Sequence, residues 1–418
     1  MKSPLISGLM LVALCSPLSD SLNLTRIITM PLDEYRRYQT LHGPLDRLMV
    51  QDGLGYFLID YSRTIEETMA GFEHQIEVEG PGVVPPSPAS GSGDINGAFH
   101  DSFETEAALR DLALRHPDRA EFMILGHSVE GRPITALRIG SFGANERPAV
   151  YVLGCHHARE WISVEVPLHF ARHLLEAYDQ DSRIRRCVDE ANIYIVPLVN
   201  PDGLEYSILR YRYWRKNRIY NGRFSWGVDL NRNYAHQWGL DNTGSSPNPG
   251  NATYRGRAPF SEPETVALRD FMLLHPPSGL ISYHNFSQII LYPWGYTREP
   301  AARAPEMREL AGRMSAEMEG VNGRRYDFGS ASDALYLTNG DTTDWVYSTF
   351  SAIAFTIELP PPSQMGHFIT DEDEIESICQ ENRPALLCFI EHFIRRSPTD
   401  DEEGSVITLP EALPPPKG

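Results

Sequence analysis

No apolar run in this 418-residue sequence is long enough to cross a membrane. The one notable stretch, Leu5 to Cys15, has the length of a signal-peptide core instead. Basic residues are in deficit: 37 Lys and Arg stand against 56 Asp and Glu, for a formal net charge of −19. With no Lys/Arg block either, binding of nucleic acid through its phosphates is excluded, and the acidity reads as solubility. Cysteine is scarce. Of 5 in all, Cys155, Cys187, Cys379 and Cys388 follow the leader and form no C-x-x-C pair. That excludes a dense disulfide framework and leaves buried free thiols. No internal repeat is present, which excludes a repeat architecture.

What is present divides the chain. Lys2 and the apolar run behind it read as an export signal over residues 1–20 and place the protein in a secreted or periplasmic setting. The cleavage sequence is weak; Ala13-Leu14-Cys15 is the nearest fit, and Leu14 argues against a lipoprotein. Residues 21–80 read as a small α/β module. LTRIITM, YFLIDYS and HQIEVEG have strand patterns, while LDEYRRYQTL and TIEETMAGF have helical ones. Residues 81–97, dense in Pro, Gly and Ser, form a linker. Residues 98–396 read as one long α/β domain. AVYVLGC and ANIYIVPLV are continuous apolar runs of the kind buried in a mostly parallel sheet, and GLISYHNF, QIILYPW and SAIAFTIEL add strands. SEPETVALRDFMLLH predicts a helix opened by a Ser261–Glu264 capping box. DEIESICQENRPALLCFIEHFIRR predicts a last helix kinked or broken at Pro384. Residues 397–418 are acidic and Pro-rich and read as a disordered tail.

The stretch YVLGCHHAREWIS sets two histidines, an arginine and a glutamate where a strand hands over to a helix. His157 and Glu160 stand at i, i+3, so both side chains can face one point. Imidazole nitrogen and carboxylate oxygen are both zinc ligands. A third ligand must come from elsewhere, and His284, ending the run LISYHNF, is the candidate, because ligands of open α/β sheets gather at the carboxyl ends of strands. His156, one position off, should point away. Such a pair is also what an ordinary exposed helix carries, and this motif alone leaves both readings open.

Further motifs resolve the choice. HAREW, YWRKNR (Tyr213–Arg218), GVDLNRNY (Gly227–Tyr234), SYHNFSQIILYPWGY, LYLTNGDTTDW (Leu335–Trp345) and FTIEL (Phe355–Leu359) occur in the order found in zinc metallocarboxypeptidases of the pancreatic A/B type. The resemblance runs from FETEAALRDLALRHPDRAEFMILGHSVEGRPI to the last helix. It implies a single large domain with a central mixed, mostly parallel twisted sheet flanked by helices, preceded by a small α/β prosegment. It implies one zinc ion per chain on His157, Glu160 and His284, and hydrolysis of the C-terminal peptide bond by zinc-activated water. Glu358 would be the general base and Arg215 would stabilise the developing oxyanion. Asn231 and Arg232 would grip the substrate's free carboxylate, Tyr336 would close over it, and Arg159 would touch the peptide further up. Asp229 would accept from the second nitrogen of His157 and so set its tautomer. The partners are then peptide and protein C-termini, with neither nucleic acid nor membrane, and the chain is expected to be a monomer.

The pocket positions of this family fall on Leu291, Gly295, Ala331, Thr338, Asp341, Thr343 and Thr356. Apolar-selective members carry a large aliphatic residue in place of Thr343 and basic-selective members an acid. Here Asp341 stands two residues earlier, a combination that resembles bacterial carboxypeptidase T and implies release of both apolar and basic residues. The plainer reading is that Asp341 is a solvated loop acid. There are departures too: Ser225 and Asn248 stand near the place of a common cysteine pair, and Asn285-Phe286 replaces the usual Ser-Tyr. The position of residues 21–80 resembles an inhibitory prosegment. Neither Lys nor Arg occurs between Arg63 and Arg110, so a trypsin-like enzyme cannot release it within the linker. Two competing readings are weaker. GHSVEG begins like a serine-hydrolase elbow, but Glu130 stands where glycine is needed. His169 and His173 are spaced like a zinc pair, but Phe170 replaces the glutamate such a motif requires.

Overall fold

Segments without polar alternation are stable only when covered on both faces, and the fold is built around four of them. The computed structural model describes residues 25–31, 33, 34, 37, 46–51, 54–60, 75–80, 96–142, 147–222, 225–362 and 368–394. The export signal, the second helix of the small module, most of its first helix, most of the linker and the tail lie outside the described residues.

In the N-terminal module β1 (Thr25–Pro31), β2 (Asp46–Gln51), β3 (Leu54–Asp60) and β4 (Gln75–Gly80) form an antiparallel sheet in the order β2-β3-β1-β4. Three of these strands were legible in the sequence; β2 was not. The large domain opens with α1 (Ser102–Arg115), the hairpin strands β5 (Ala120–His127) and β6 (Pro133–Ile139), and β7 (Ala149–Leu153). Next come α2 (Ile162–Glu176), α3 (Ser182–Glu190), β8 (Asn192–Val196) and α4 (Pro201–Leu209). A short hairpin, β9 (Tyr220–Gly222) and β10 (Ser225–Trp226), precedes a 3-10 turn at Leu230–Arg232. The rest is α5 (Pro263–Leu274), β11 (Gly279–Asn285), β12 (Ile289–Tyr292), α6 (Ala304–Asn322), β13 (Asp327–Ser330), α7 (Ala331–Ala334), α8 (Thr342–Phe350), β14 (Ile353–Leu359) and α9 (Ile375–Ile394).

The large sheet has the order β13-β12-β14-β11-β7-β8-β6-β5. The run β14-β11-β7-β8 is parallel, as is β12 with β13; β12 with β14, β8 with β6, and β6 with β5 are antiparallel. This is the mixed, mostly parallel sheet expected. Alternate residues feed two cores. Val150, Val152, Ile281, Tyr283, Phe355 and Ile357 pack with residues of α1, α2, α3, α6 and α9. Tyr151, Leu153, Leu280 and Ala354 face the other way, toward α5 and α8. Strand alternation therefore puts Ser282, His284, Thr356 and Glu358 on the α5/α8 side, at the carboxyl ends of adjacent parallel strands.

Two local expectations need correction. Ser261 does not cap α5: the helix starts at Pro263, Glu262 is its N-cap without a side-chain cap bond, and Ser261 Oγ donates to Glu262 Oε1 at 2.7 Å. Proline at the first helical position sets this start, since it has no N–H to satisfy. Pro384 does not break α9, which runs through it, held by flanking residues buried on the core. Asn96 Nδ2 donates to Glu104 Oε2 at 2.9 Å, and Phe99 is buried edge-on against Trp161. Cys155, Cys187, Cys379 and Cys388 are buried and free, as expected.

Candidate active site

The turn that follows β7 is forced into shape by packing. A Cβ on Gly154 would lie 2.1 Å from Ser163 O and 2.6 Å from Pro197 O, so only glycine fits where the chain leaves the sheet. The next residues bring His157 and Glu160 to one point before α2 begins. His284 reaches the same point from the end of β11. His157 Nδ1 lies 2.9 Å from Glu160 Oε1, His284 Nδ1 lies 3.0 Å from Glu160 Oε2, and the two Nδ1 atoms are 3.0 Å apart. All three residues are buried, and their ligand atoms lie within 4.8 Å of one another.

The far sides of the imidazoles show what this arrangement suits. His157 Nε2 faces Asp229 Oδ1 at 3.1 Å, so that nitrogen carries the proton and Nδ1 presents a lone pair. His284 Nε2 faces Ser282 Oγ at 3.1 Å. Two imidazole nitrogens and a carboxylate converging on one buried point form a set of acceptors without a donor, and a divalent cation satisfies it. The residue types are those of a three-ligand catalytic zinc site. With no cation bound, burial pushes the Glu160 carboxyl up, but protonated His157 and His284 outweigh it and hold it well below the usual carboxylate range; a bound cation takes over that role. Asp229 is also pushed up by burial, and Arg215 and His157 outweigh that, leaving it ionised. Arg215 grips Asp229 Oδ2 with Nε at 3.1 Å and NH2 at 2.9 Å, while NH1 stands 3.9 Å from Glu160 Oε1.

The other expected residues lie on neighbouring strands, turns and helix ends of the same domain. Glu358 on β14 is in register with His284 on β11, so the two side chains leave the same face of neighbouring strands. Asn231 and Arg232 lie on the 3-10 turn just after Asp229, whose Oδ1 accepts from Asn231 N at 3.0 Å. Arg232 is buried, with Nε on Gly244 O at 2.9 Å and NH1 on Asn231 O at 2.7 Å. Arg159 is buried with its guanidinium 3.7 Å above the Phe368 ring. Tyr336, half-buried, follows α7. Leu291 and Thr356 pair across β12 and β14. A Cβ on Gly295 would meet Thr338 Oγ1 at 2.2 Å and Asp341 Oδ2 at 2.9 Å. Asp341 is not a solvated loop acid: it is 5% exposed and caps α8, accepting from Asp344 N at 2.9 Å, Thr343 Oγ1 at 3.0 Å and Thr338 Oγ1 at 2.6 Å.

Three buried residues were not singled out from the sequence. His156 does stay out of the ligand set, yet its ring stacks on that of His284 at 5.6 Å and bonds to Ser282, Thr342 and Tyr234. Ser282 was discoverable, since it lies two positions before His284 on the same strand face. Thr342 and Tyr234 carried no signal. The decoys separate cleanly. Ser128 sits in the β5–β6 turn and donates to Asp202 Oδ1 at 2.6 Å, and His169 bonds to Arg383 on α9 at 2.7 Å.

Known proteins resemble this chain over the region that carries the site. The family model described as "Zinc carboxypeptidase" matches residues 105–385. Rat carboxypeptidase A1 is 35% identical over 299 residues, covering 71% of this chain and 70% of that protein. Rat carboxypeptidase B is 32% identical over 300 residues, covering 71% of each. The crystal structure of carboxypeptidase A from Helicoverpa armigera superposes with a TM-score of 0.72 at 24% identity, over 90% of this chain and 99% of that one, which bears on the fold. With such a span of matched sequence behind the converging His-Glu-His triad, the chain belongs to the zinc carboxypeptidase family: it is a peptide hydrolase that uses zinc and acts on peptide C-termini.

Proposed function

We propose that this protein is an exported, monomeric exopeptidase that releases the C-terminal residue of peptides, with Glu358 as general base. The observation that carries the reading is the register of His284 with Glu358, which sets a carboxylate one strand away from a metal ligand, on the same face. Zinc on His157, Glu160 and His284 supplies Lewis acidity toward a carbonyl and toward water. Glu358 then takes the proton of the attacking water and delivers it to the leaving amine. Arg215, locked in orientation by Asp229, turns its guanidinium toward the oxygen on which negative charge develops.

The substrate's free carboxylate is held by Arg232, by Asn231 and by Tyr336 closing from above; Arg159 meets the peptide beyond the scissile bond. Asn231 supports this role because Thr342 occupies its Oδ1 atom twice, while Nδ2 makes no hydrogen bond among the described residues. The released residue sits in the pocket of Leu291, Gly295, Ala331, Thr338, Thr343 and Thr356. It is apolar, with Asp341 admitting basic residues as in carboxypeptidase T. Residues 21–80 act as a prosegment removed after export. Matched peptides with a free or an amidated C-terminus test the central claim. Cleavage of the free form alone, abolished by a chelator, is expected; equal cleavage of both would refute exopeptidase action.

A further inference from the structure

The hydrogen bonds between Asn231 and His284 have only one consistent direction. A backbone N–H can only donate, and Thr342 N lies 3.0 Å from Asn231 Oδ1, so the amide atom there is the oxygen. Thr342 Oγ1 lies 2.9 Å from the same oxygen, which commits the hydroxyl hydrogen to it. Toward His156 Nε2, at 3.1 Å, Thr342 Oγ1 can then only accept, so Nε2 carries the proton. Tyr234 OH, 2.9 Å from Nε2, accepts as well. His156 Nδ1 is therefore a lone pair, and Ser282 Oγ, at 3.3 Å, donates to it. With its hydrogen spent, Ser282 Oγ accepts from His284 Nε2–H at 3.1 Å. The chain ends with the His284 Nδ1 lone pair aimed at the point shared with His157 and Glu160.

We propose that Asn231, acting through Thr342, His156 and Ser282, sets the tautomer of the metal ligand His284 and couples the substrate-carboxylate contact to the metal. His156, Ser282 and Thr342 are positioning residues, since none is in the ligand set. All of these groups except Asn231 are essentially sealed from water, so no solvent molecule competes for a step of the chain. His157 has its own arrangement in Asp229, which makes the two ligands independently oriented. The coupling half of the proposal rests on the reading of Asn231 as a carboxylate contact; the tautomer half does not.

The test uses the zinc-loaded full chain with 15N-labelled histidine. The expected spectrum gives His156 as the Nε2–H tautomer; an Nδ1–H signal for His156 overturns the proposal without any variant. Thr342→Val keeps the shape but removes the anchoring hydroxyl, and it should weaken zinc affinity about 10-fold in competition with a chelator, with Thr342→Ser restoring it. Zinc affinity of folded Thr342→Val within about twofold of the parent also overturns it. Free L-phenylalanine, a carboxylate probe, should slow zinc release from the parent but not from Thr342→Val. No effect on the parent overturns the coupling and the carboxylate role of Asn231 together, while leaving the tautomer assignment standing on its spectrum.

Discussion

Replacing Asp341 with asparagine separates charge from architecture at the start of α8, where the proposed specificity acid stands. The carboxylate has two roles in the structure. It caps α8, and it places its Oδ2 atom beside Gly295, where together with Thr338 Oγ1 it fills the space a side chain would need. No described Lys or Arg pairs with it; its acidic neighbour Asp344 has its carboxyl pushed well up, first by burial and then by Asp341 itself. Asp341→Asn retains the cap, because asparagine caps as well as aspartate, and Oδ1 still accepts from Asp344 N and Thr343 Oγ1. Only the Thr338 bond loses its acceptor, a cost of about 1 kcal/mol in stability. A substrate Lys or Arg, by contrast, loses its counter-charge. Removing one partner of a buried pair costs roughly 2–5 kcal/mol. Three donors already share this carboxylate, so the lower figure applies. At ~1.4 kcal/mol per decade, kcat/KM should fall about 30-fold for peptides ending in Lys or Arg. Matched peptides ending in Phe or Leu should change by less than about twofold. An equal fall for both classes, or none for either, would refute the reasoning and leave Asp341 as a helix cap alone.

Glu358→Gln should lower kcat by about 10²–10⁴ with zinc retained on metal analysis; a near-parental rate would move the base elsewhere. His284→Ala should lose most of its zinc, and full occupancy would dissolve the ligand assignment. Burial pushes Glu264, which shares the Asn217 amide with Glu262, from 4.5 up to about 7. A raised carboxyl favours the fold below its unfolded value, and that contribution of about 3 kcal/mol drains away as pH rises from about 4.5 through 7. Urea unfolding at pH 5 and pH 8 should therefore show a pH dependence that Glu264→Gln flattens by that amount; identical slopes would contradict it. Mass spectrometry of exported enzyme should find an N-terminus between Gly80 and Asn96, appearing together with activity. A fully active enzyme still starting near residues 16–22 would make the small module a permanent domain.

Some of this protein is determined by local sequence. Continuous apolar runs specify strands that must be covered on both faces, so β7, β8, β11 and β14 were legible from composition alone. His157 and Glu160 were legible as a pair because their spacing is local, and the ordered family motifs extended the reading to His284 and Glu358. Helix starts were less legible: Pro263 decided a boundary that the Ser261–Glu264 pattern had placed earlier. What the tertiary structure alone decided is partnership across distance. Asp341 could be read as a pocket acid or as a solvated loop acid until the start of α8 was seen to close on it. His156 looked like a bystander until Ser282, Thr342 and Tyr234 were seen to surround it. A sequence states which donors and acceptors exist, but a hydrogen bond depends on separations of about 3 Å and on direction. Only the packing of β11 and α8 against the turn after β7 brings residues 156, 231, 282 and 342 within that range and gives the bonds between them a single sense.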